Sequence, residues 1–153
     1  MDKILKQFFL AFVIIFLLDQ FIKYLSLNGL RYGGEYLSLV LVFNDGVAFS
    51  MLSFLKQYLK YLHLFFILVL SFYLFYQKEL LKENAIAFGI IIGAGSSNLF
   101  DRFVHGGVVD MFYWHKWFEF AVFNFADVAI NFAVALIFLN EFILRKRRKN
   151  DRF

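Results

Sequence analysis

The chain has 153 residues, of which 61% are hydrophobic and 24 are phenylalanine, and its formal net charge is +4. Because a soluble domain is only about half apolar, this composition excludes an ordinary soluble protein and indicates a single membrane domain over residues 1–153. The chain has no cysteine and only three scattered histidines, so disulfides, thiolate metal sites and a histidine metal cluster are excluded. With no glycine-rich phosphate loop either, we expect neither metal nor cofactor.

Four apolar segments approach the roughly 20 residues that cross about 30 Å of hydrocarbon. They lie near residues 7–25, 58–76, 85–103 and 120–144. They predict an all-α membrane protein with four transmembrane helices. The third segment has small residues at every fourth position, which favours close packing against a neighbouring helix; these are Ala85, Gly89, Gly93 and Ser97.

Basic residues predict the orientation in the membrane, because they are retained on the cytoplasmic side. The tail 145–153 opens with five consecutive basic residues, which indicates a cytoplasmic C-terminus that meets anionic lipid rather than nucleic acid. Four crossings then put the N-terminus in the cytoplasm as well. The connections 26–57 and 104–119 should face outward.

The first outer connection contains an apolar, β-prone run from Tyr36 to Phe43, followed by the turn-forming residues Asn44, Asp45 and Gly46. This pattern predicts a small β-like segment on the outer surface of the membrane. Taken alone it is an ordinary hairpin, although its apolar character would also suit a cover over a site that faces lipid.

Polar side chains recur at helical spacing within the apolar segments. Asp19 and Lys23 stand four residues apart, a spacing suited to an ion pair. On the fourth segment, Asn124, Asp127 and Asn131 share one face, and on the third, Asn98, Asp101 and Arg102 lie together. Such groups are costly in hydrocarbon, so each set indicates either a functional site or a structural clamp between helices.

The depth of these groups in the membrane favours a functional site over a structural clamp. With a rise of about 1.5 Å per residue, Asp127 and Asp101 lie about 27 and 25 Å from the inner surface, and Asp19 and Lys23 about 20 and 25 Å. Polar groups from three helices therefore reach one level, just inside the outer surface.

Asp127 lies at this level, and Asp110 is its nearest candidate partner in sequence. Two carboxylates brought together suggest acid–base chemistry on a shared water molecule. These residues alone leave two other classes of protein open. One is a small transporter or proton-conducting subunit, and the other is a purely structural membrane partner. A transporter should distribute its acids over several depths, so one common level favours surface chemistry.

Five segments together resemble the lipoprotein signal peptidase family, also called signal peptidase II. In chain order they are Asp19–Lys23, Asn44–Phe49, Asn98–Arg102, Gly107–Asp110 and Phe123–Asp127. The match departs from the family pattern where Ala94 and Ser97 replace glycines before Asn98, and where Met111 replaces the usual phenylalanine. The substitutes for glycine are small, so close packing should survive.

The resemblance implies an aspartic endopeptidase of the bacterial inner membrane, with its active site near the periplasmic face. It would remove signal peptides from diacylglyceryl-modified prolipoproteins within membrane phospholipid, cutting just before the lipidated cysteine, and we expect a monomer. By the family match Asp110 and Asp127 are catalytic. The residues that would bind substrate or support the site are Asp19, Lys23, Asn44, Gly46, Asn98, Asp101, Arg102 and Asn124.

Overall fold

The computed structural model describes residues 2–46 and 53–150. In this part of the chain, four α-helices surround the polar residues of the predicted site: α1 (Asp2–Leu27), α2 (Leu59–Tyr76), α3 (Lys78–Val104) and α4 (Phe125–Asn150). A short 3-10 helix, Ser53–Tyr58, leads into α2. The sequence contains no proline, so no helix is interrupted by a missing backbone N–H.

Three of the described helices are long and apolar enough to cross a membrane: α1, α2 and the Phe125–Lys146 part of α4. The third predicted span lies in α3, which is less apolar and does not meet this criterion. The backbone of α3 departs from helical geometry at Asn84, so its regular part begins at Ala85. The four-span arrangement therefore stays a prediction, while a helical membrane protein with three apolar helices is confirmed.

Helix α3 occupies the centre of the fold and packs against each of the other three helices. Its small residues explain why α1 approaches so closely. A Cβ atom added at Gly93 would lie 2.6 Å from the backbone oxygen of Phe12, and one at Gly89 would overlap the backbone oxygen of Phe8. The predicted packing role of these two glycines is thus confirmed.

A three-stranded antiparallel sheet covers one end of the helices. Its strands are β1 (Tyr32–Gly33), β2 (Leu37–Asn44) and β3 (Val108–Trp114), and β2 lies between the other two. Asn44 pairs with Val108 and Val42 with Asp110, with an irregularity between Leu39 and Val42. The β-like segment is confirmed. It pairs with β3, which belongs to the second outer connection and was not predicted as a strand.

Helix α4 begins at Phe125, later than the predicted start of the fourth span at 120. The preceding residues are extended, and Phe123 forms an antiparallel bridge with Phe112 of β3. The helix begins later than predicted because Asn124 caps its first turn and ends the preceding extended segment. This boundary positions the candidate site.

Candidate active site

The first turn of α4 is closed by a reciprocal cap. The Oδ1 atom of Asn124 accepts a hydrogen bond from the backbone N–H of Asp127 at 3.0 Å, and Asp127 Oδ2 accepts one from the backbone N–H of Asn124 at 3.1 Å. This is the capping-box arrangement, with aspartate in the position that glutamate often takes. The Asp127 side chain is therefore held by the start of its own helix.

The amide of Asn124 also links the two predicted catalytic aspartates. Its Nδ2 donates to Asp110 Oδ1 at 2.7 Å and to Asn98 Oδ1 at 3.1 Å. The amide of Asn98 in turn donates to Asp127 Oδ1 at 3.2 Å. Asn98 and Asn124, which are hydrogen-bonded to each other, thus connect the carboxylates of β3 and α4.

Asp110 is buried at the pairing of β2 with β3. Besides Asn124, it accepts a hydrogen bond from Asn44 Nδ2 at 3.0 Å. Burial raises the pKa of Asp110 from 3.8 to about 6, opposed by the Asn44 hydrogen bond and reinforced by the nearby negative charge of Asp127. A carboxyl with this pKa can hold or release a proton near neutrality.

The turn after β2 supports Asn44. The backbone N–H of Gly46 donates to Asn44 Oδ1 at 3.0 Å, and Arg102 Nη2 donates to the carbonyl oxygen of Gly46. Val47, Ala48 and Phe49, which complete the matched segment, lie outside the described residues. Among the described side chains, Arg102 Nε is a buried nitrogen without a hydrogen-bond partner.

A buried ion cluster lies behind the aspartates. The predicted pair of Asp19 and Lys23 is confirmed, with Lys23 Nζ 2.6 Å from Asp19 Oδ2. The same ammonium group lies 2.7 Å from Asp101 Oδ2 and donates to Asn98 Oδ1 at 2.7 Å. Its three N–H groups therefore have three oxygen partners, and Asp101 pairs with Lys23 rather than with its neighbour Arg102.

The two carboxylates of the cluster also hold backbone groups. Asp19 Oδ1 accepts from the backbone N–H of Ala126 at 2.8 Å, in the first turn of α4. Asp101 Oδ2 accepts from the backbone N–H of Val109 at 3.1 Å, next to Asp110. Both contacts connect the cluster directly to the elements that carry the aspartates.

Two members of this cluster were not predicted as site residues. Ser97 Oγ donates to Asp19 Oδ2 at 2.6 Å, and Gln20 Nε2 donates to Ser97 Oγ at 2.9 Å and to Asp101 Oδ1 at 2.8 Å. A polar residue in place of a family glycine was the available signal for Ser97. The hydroxyl supplies a hydrogen bond to Asp19 that a glycine could not make.

Asp110 and Asp127 line one end of a cavity of about 730 Å³. The walls come from α2, α3, α4, the ends of β2 and β3, and the segment before α4. Asn44, Asn98 and Arg102 contribute to the polar end, whereas most of the remaining lining is apolar. This arrangement can deliver acid–base chemistry to a ligand that is largely apolar.

Known proteins with similar sequences and structures agree with the resemblance in the motifs. A family model described as signal peptidase (SPase) II matches residues 11–143. A lipoprotein signal peptidase of Campylobacter jejuni subsp. jejuni is 62% identical over 150 residues, covering 98% of this chain and 96% of the relative. One of Helicobacter pylori is 52% identical over 147 residues, covering 96% and 94%.

A solved bacterial membrane enzyme has a similar fold, with a TM-score of 0.72 and 25% sequence identity over 92% of this chain and 88% of that one. A second such enzyme, at 22% identity, shares the fold with a TM-score of 0.68. The family model spans most of the chain, and the two relatives match it almost from end to end. This integral membrane protein therefore belongs to the signal peptidase II family and is a membrane protease.

Proposed function

We propose that the protein is an aspartic endopeptidase that removes the signal peptide from diacylglyceryl-modified prolipoproteins, cutting just before the lipidated cysteine. The curated relatives are named lipoprotein signal peptidases. One observation carries the proposal: Asp110 and Asp127 lie at the polar end of a mostly apolar cavity, and both accept hydrogen bonds from Asn124. Such a cavity suits a peptide whose cysteine bears two acyl chains.

Asp110 and Asp127 act as a catalytic pair that shares one proton, because two nearby carboxylates do not both ionise readily. In the proposed mechanism Asp110 holds this proton, which its raised pKa allows. Asp127 is the ionised member, and its position in the first turn of α4 favours negative charge.

In the first step, Asp127 accepts a proton from water as the water oxygen attacks the scissile carbonyl carbon, and Asp110 donates its proton to the carbonyl oxygen. The second step reverses these transfers. Asp127 gives its proton to the departing amine, the carbon–nitrogen bond breaks, and Asp110 recovers a proton from the hydroxyl. No covalent intermediate with the protein is formed.

The neighbouring polar residues have positioning roles in this proposal. Asn44 and Asn124 orient Asp110, and Asn98 orients Asp127. Arg102 Nε has no hydrogen-bond partner among the described residues, and it would donate to a carbonyl oxygen of the substrate.

The remaining residues support these from behind. The backbone N–H of Gly46 donates to Asn44 and so orients it, and the carbonyl oxygen of Gly46 accepts a hydrogen bond from Arg102. Asp19, Lys23 and Asp101 form the ion cluster that ties α1 and α3 to α4 and β3.

We also propose the four-span topology in the bacterial inner membrane, with α3 as a crossing helix. Its regular part from Ala85 to Val104 is about 30 Å long, which matches the hydrocarbon thickness. Because the other helices bury most of this segment, it needs fewer apolar residues than a helix that faces lipid. Both termini are then cytoplasmic, the aspartates lie near the periplasmic face, and a monomer surrounded by phospholipid contains the complete site.

The proposal is tested with purified protein in nanodiscs and two prolipoprotein peptides, one with a diacylglyceryl group on cysteine and one unmodified. Mass spectrometry should detect a product that begins at the lipidated cysteine, and the unmodified peptide should be cut poorly. Asp110→Asn and Asp127→Asn should each lose nearly all cleavage while keeping the fold. The matched control Asp2→Asn, at an exposed position in α1, should retain it. Near-normal turnover in either aspartate variant, or equal cleavage of the two peptides, would contradict the proposal.

A further inference from the structure

Two polar side chains that were not predicted as site residues also line the cavity: His63 on α2 and Asn131 on α4. Among the described residues, neither ring nitrogen of His63 has a hydrogen-bond partner. Asn131 uses one amide N–H, which donates to the backbone oxygen of Asp127 at 2.9 Å. Each side chain therefore keeps at least one free N–H group, because neutral imidazole carries one and a primary amide carries two.

Each residue lies one helical turn from another residue that lines the cavity. His63 is one helical turn beyond Leu59 on α2, and Asn131 is one turn beyond Asp127 on α4, and all four residues line the same space. One turn advances a helix by about 5.4 Å, so Asn131 lies about that far along α4 from Asp127.

The neighbours of His63 and Asn131 in the cavity wall are apolar. Leu62, Phe66, Ile130 and Phe132 line the cavity beside the two polar residues. The His63 side chain is partly buried, so an N–H there without an acceptor is costly unless a ligand supplies one, and the exposed Asn131 amide is accessible to the same ligand. A ligand group that satisfies them carries hydrogen-bond acceptors, and the apolar walls favour a group that is uncharged and attached to apolar chains.

Glyceryl esters have this chemistry, because each ester presents a carbonyl oxygen and continues into an acyl chain. In the proposed substrate, the linkage from the scissile bond through the cysteine side chain to the esters is long enough to span one helical turn. We propose that His63 and Asn131 form an ester subsite, which donates hydrogen bonds to the ester carbonyl oxygens of the diacylglyceryl group. The subsite rests on the proposed function and adds to it a contact that recognises the lipid linkage itself.

The decisive probe is a pair of lipopeptides with identical peptide and chain length. One carries a diacylglyceryl group on cysteine, and the other carries the dialkyl ether analogue, which lacks the carbonyl oxygens. For the wild-type protein we expect a KM for the diester about tenfold below that for the diether. Losing one neutral hydrogen bond corresponds to a factor of about three to ten, so His63→Phe and Asn131→Leu should each raise the diester KM by that factor. The diether KM and kcat should change little.

Two further variants separate hydrogen bonding from packing. His63→Gln keeps a donor and should retain most of the preference for the diester. Tyr73→Phe removes a hydroxyl from α2 at an exposed position outside the cavity, and should leave the preference unchanged. The ratio of the two KM values within each variant is independent of how much protein folds.

Equal KM values for diester and diether in the wild-type protein would overturn the ester subsite while leaving the proposed function intact. A parallel rise for both lipopeptides in His63→Phe and Asn131→Leu would overturn it too, since the residues would then act through packing alone. Failure of the wild-type protein to cut either lipopeptide, while it cuts the unmodified peptide, would overturn the proposed function and the subsite together.

Discussion

Lys23 is the central cation of the ion cluster, and replacing it tests whether that cluster holds the site together. Lys23→Met keeps most of the side-chain volume but removes the ammonium group that contacts Asp19, Asp101 and Asn98. The charge of the cluster changes from −1 to −2, as two carboxylates lose their shared cation. Removing one partner of a buried pair costs about 3–5 kcal/mol. Because two carboxylates are affected here, we expect the free energy of unfolding to fall by about 5 kcal/mol. That is a large fraction of the stability of a typical domain, about 5–15 kcal/mol.

The measurement is the free energy of unfolding in detergent micelles, together with cleavage of the lipidated peptide. Both should fall, because the cluster binds backbone groups of α4 and β3. The double variant Lys23→Met with Asp101→Asn removes one of the two stranded charges, so it should be more stable than the sum of the single effects predicts. Lys82→Met breaks an exposed 3.7 Å pair with Glu79 and should cost no more than about 1 kcal/mol.

A cost below about 1 kcal/mol for Lys23→Met, or strictly additive effects in the double variant, would refute this account of the cluster. Abolished turnover in a fully stable Lys23→Met protein that still binds substrate would instead assign Lys23 a chemical role.

Three further predictions concern pH, topology and helix packing. The pKa of Asp110 is raised from 3.8 to about 6, so the folded protein binds this proton more tightly than the unfolded chain does. The free energy of unfolding should therefore fall as pH rises from about 4 to about 6, by up to about 1.4 kcal/mol per pH unit, and Asp110→Asn should lack this component. Identical pH dependence in the two proteins would contradict the shift. Since the chain has no native cysteine, single cysteines at Asn28 and Lys82 can be labelled in intact cells with an impermeant thiol reagent. Only the first should react, and equal labelling would refute the four-span topology. Gly93→Ala should destabilise the protein by about 1–3 kcal/mol, because the added Cβ would lie 2.6 Å from a backbone oxygen of α1. In the matched control Gly33→Ala the added atom has no neighbour within 4 Å, so thermal unfolding should separate the two variants, and similar midpoints would show that α1 moves aside freely.

Hydropathy and helical spacing predicted much of this fold. The apolar runs located α1, α2 and most of α4, and the spacing of Asp19 and Lys23 anticipated their ion pair. The strand β3 was missed because its pairing with β2 joins residues more than sixty positions apart. Local periodicity in the sequence does not predict the register of strands that are so far apart in the chain.

The partners of individual site residues were harder to predict than their membership in the site. Asp101 was grouped with Arg102, yet adjacent residues on a helix point in different directions, and Asp101 instead contacts Lys23 of α1. The sequence did not predict which atoms Gln20 and Ser97 contact, since these contacts depend on how closely α1 and α3 approach. Interhelical distance is set by three-dimensional packing, which one sequence only hints at through its small residues.

The cap at Asn124 has a consequence for when activity can begin during synthesis. The amide that closes the first turn of α4 is the same amide that contacts Asp110, and a backbone N–H of that turn also donates to Asp19 of α1. A nascent chain that lacks α1, β3 or α4 cannot form the complete set of hydrogen bonds that connects the two carboxylates to each other and to α1. In the proposed mechanism, a partly inserted or misassembled molecule would therefore be inert rather than an indiscriminate peptidase in the membrane.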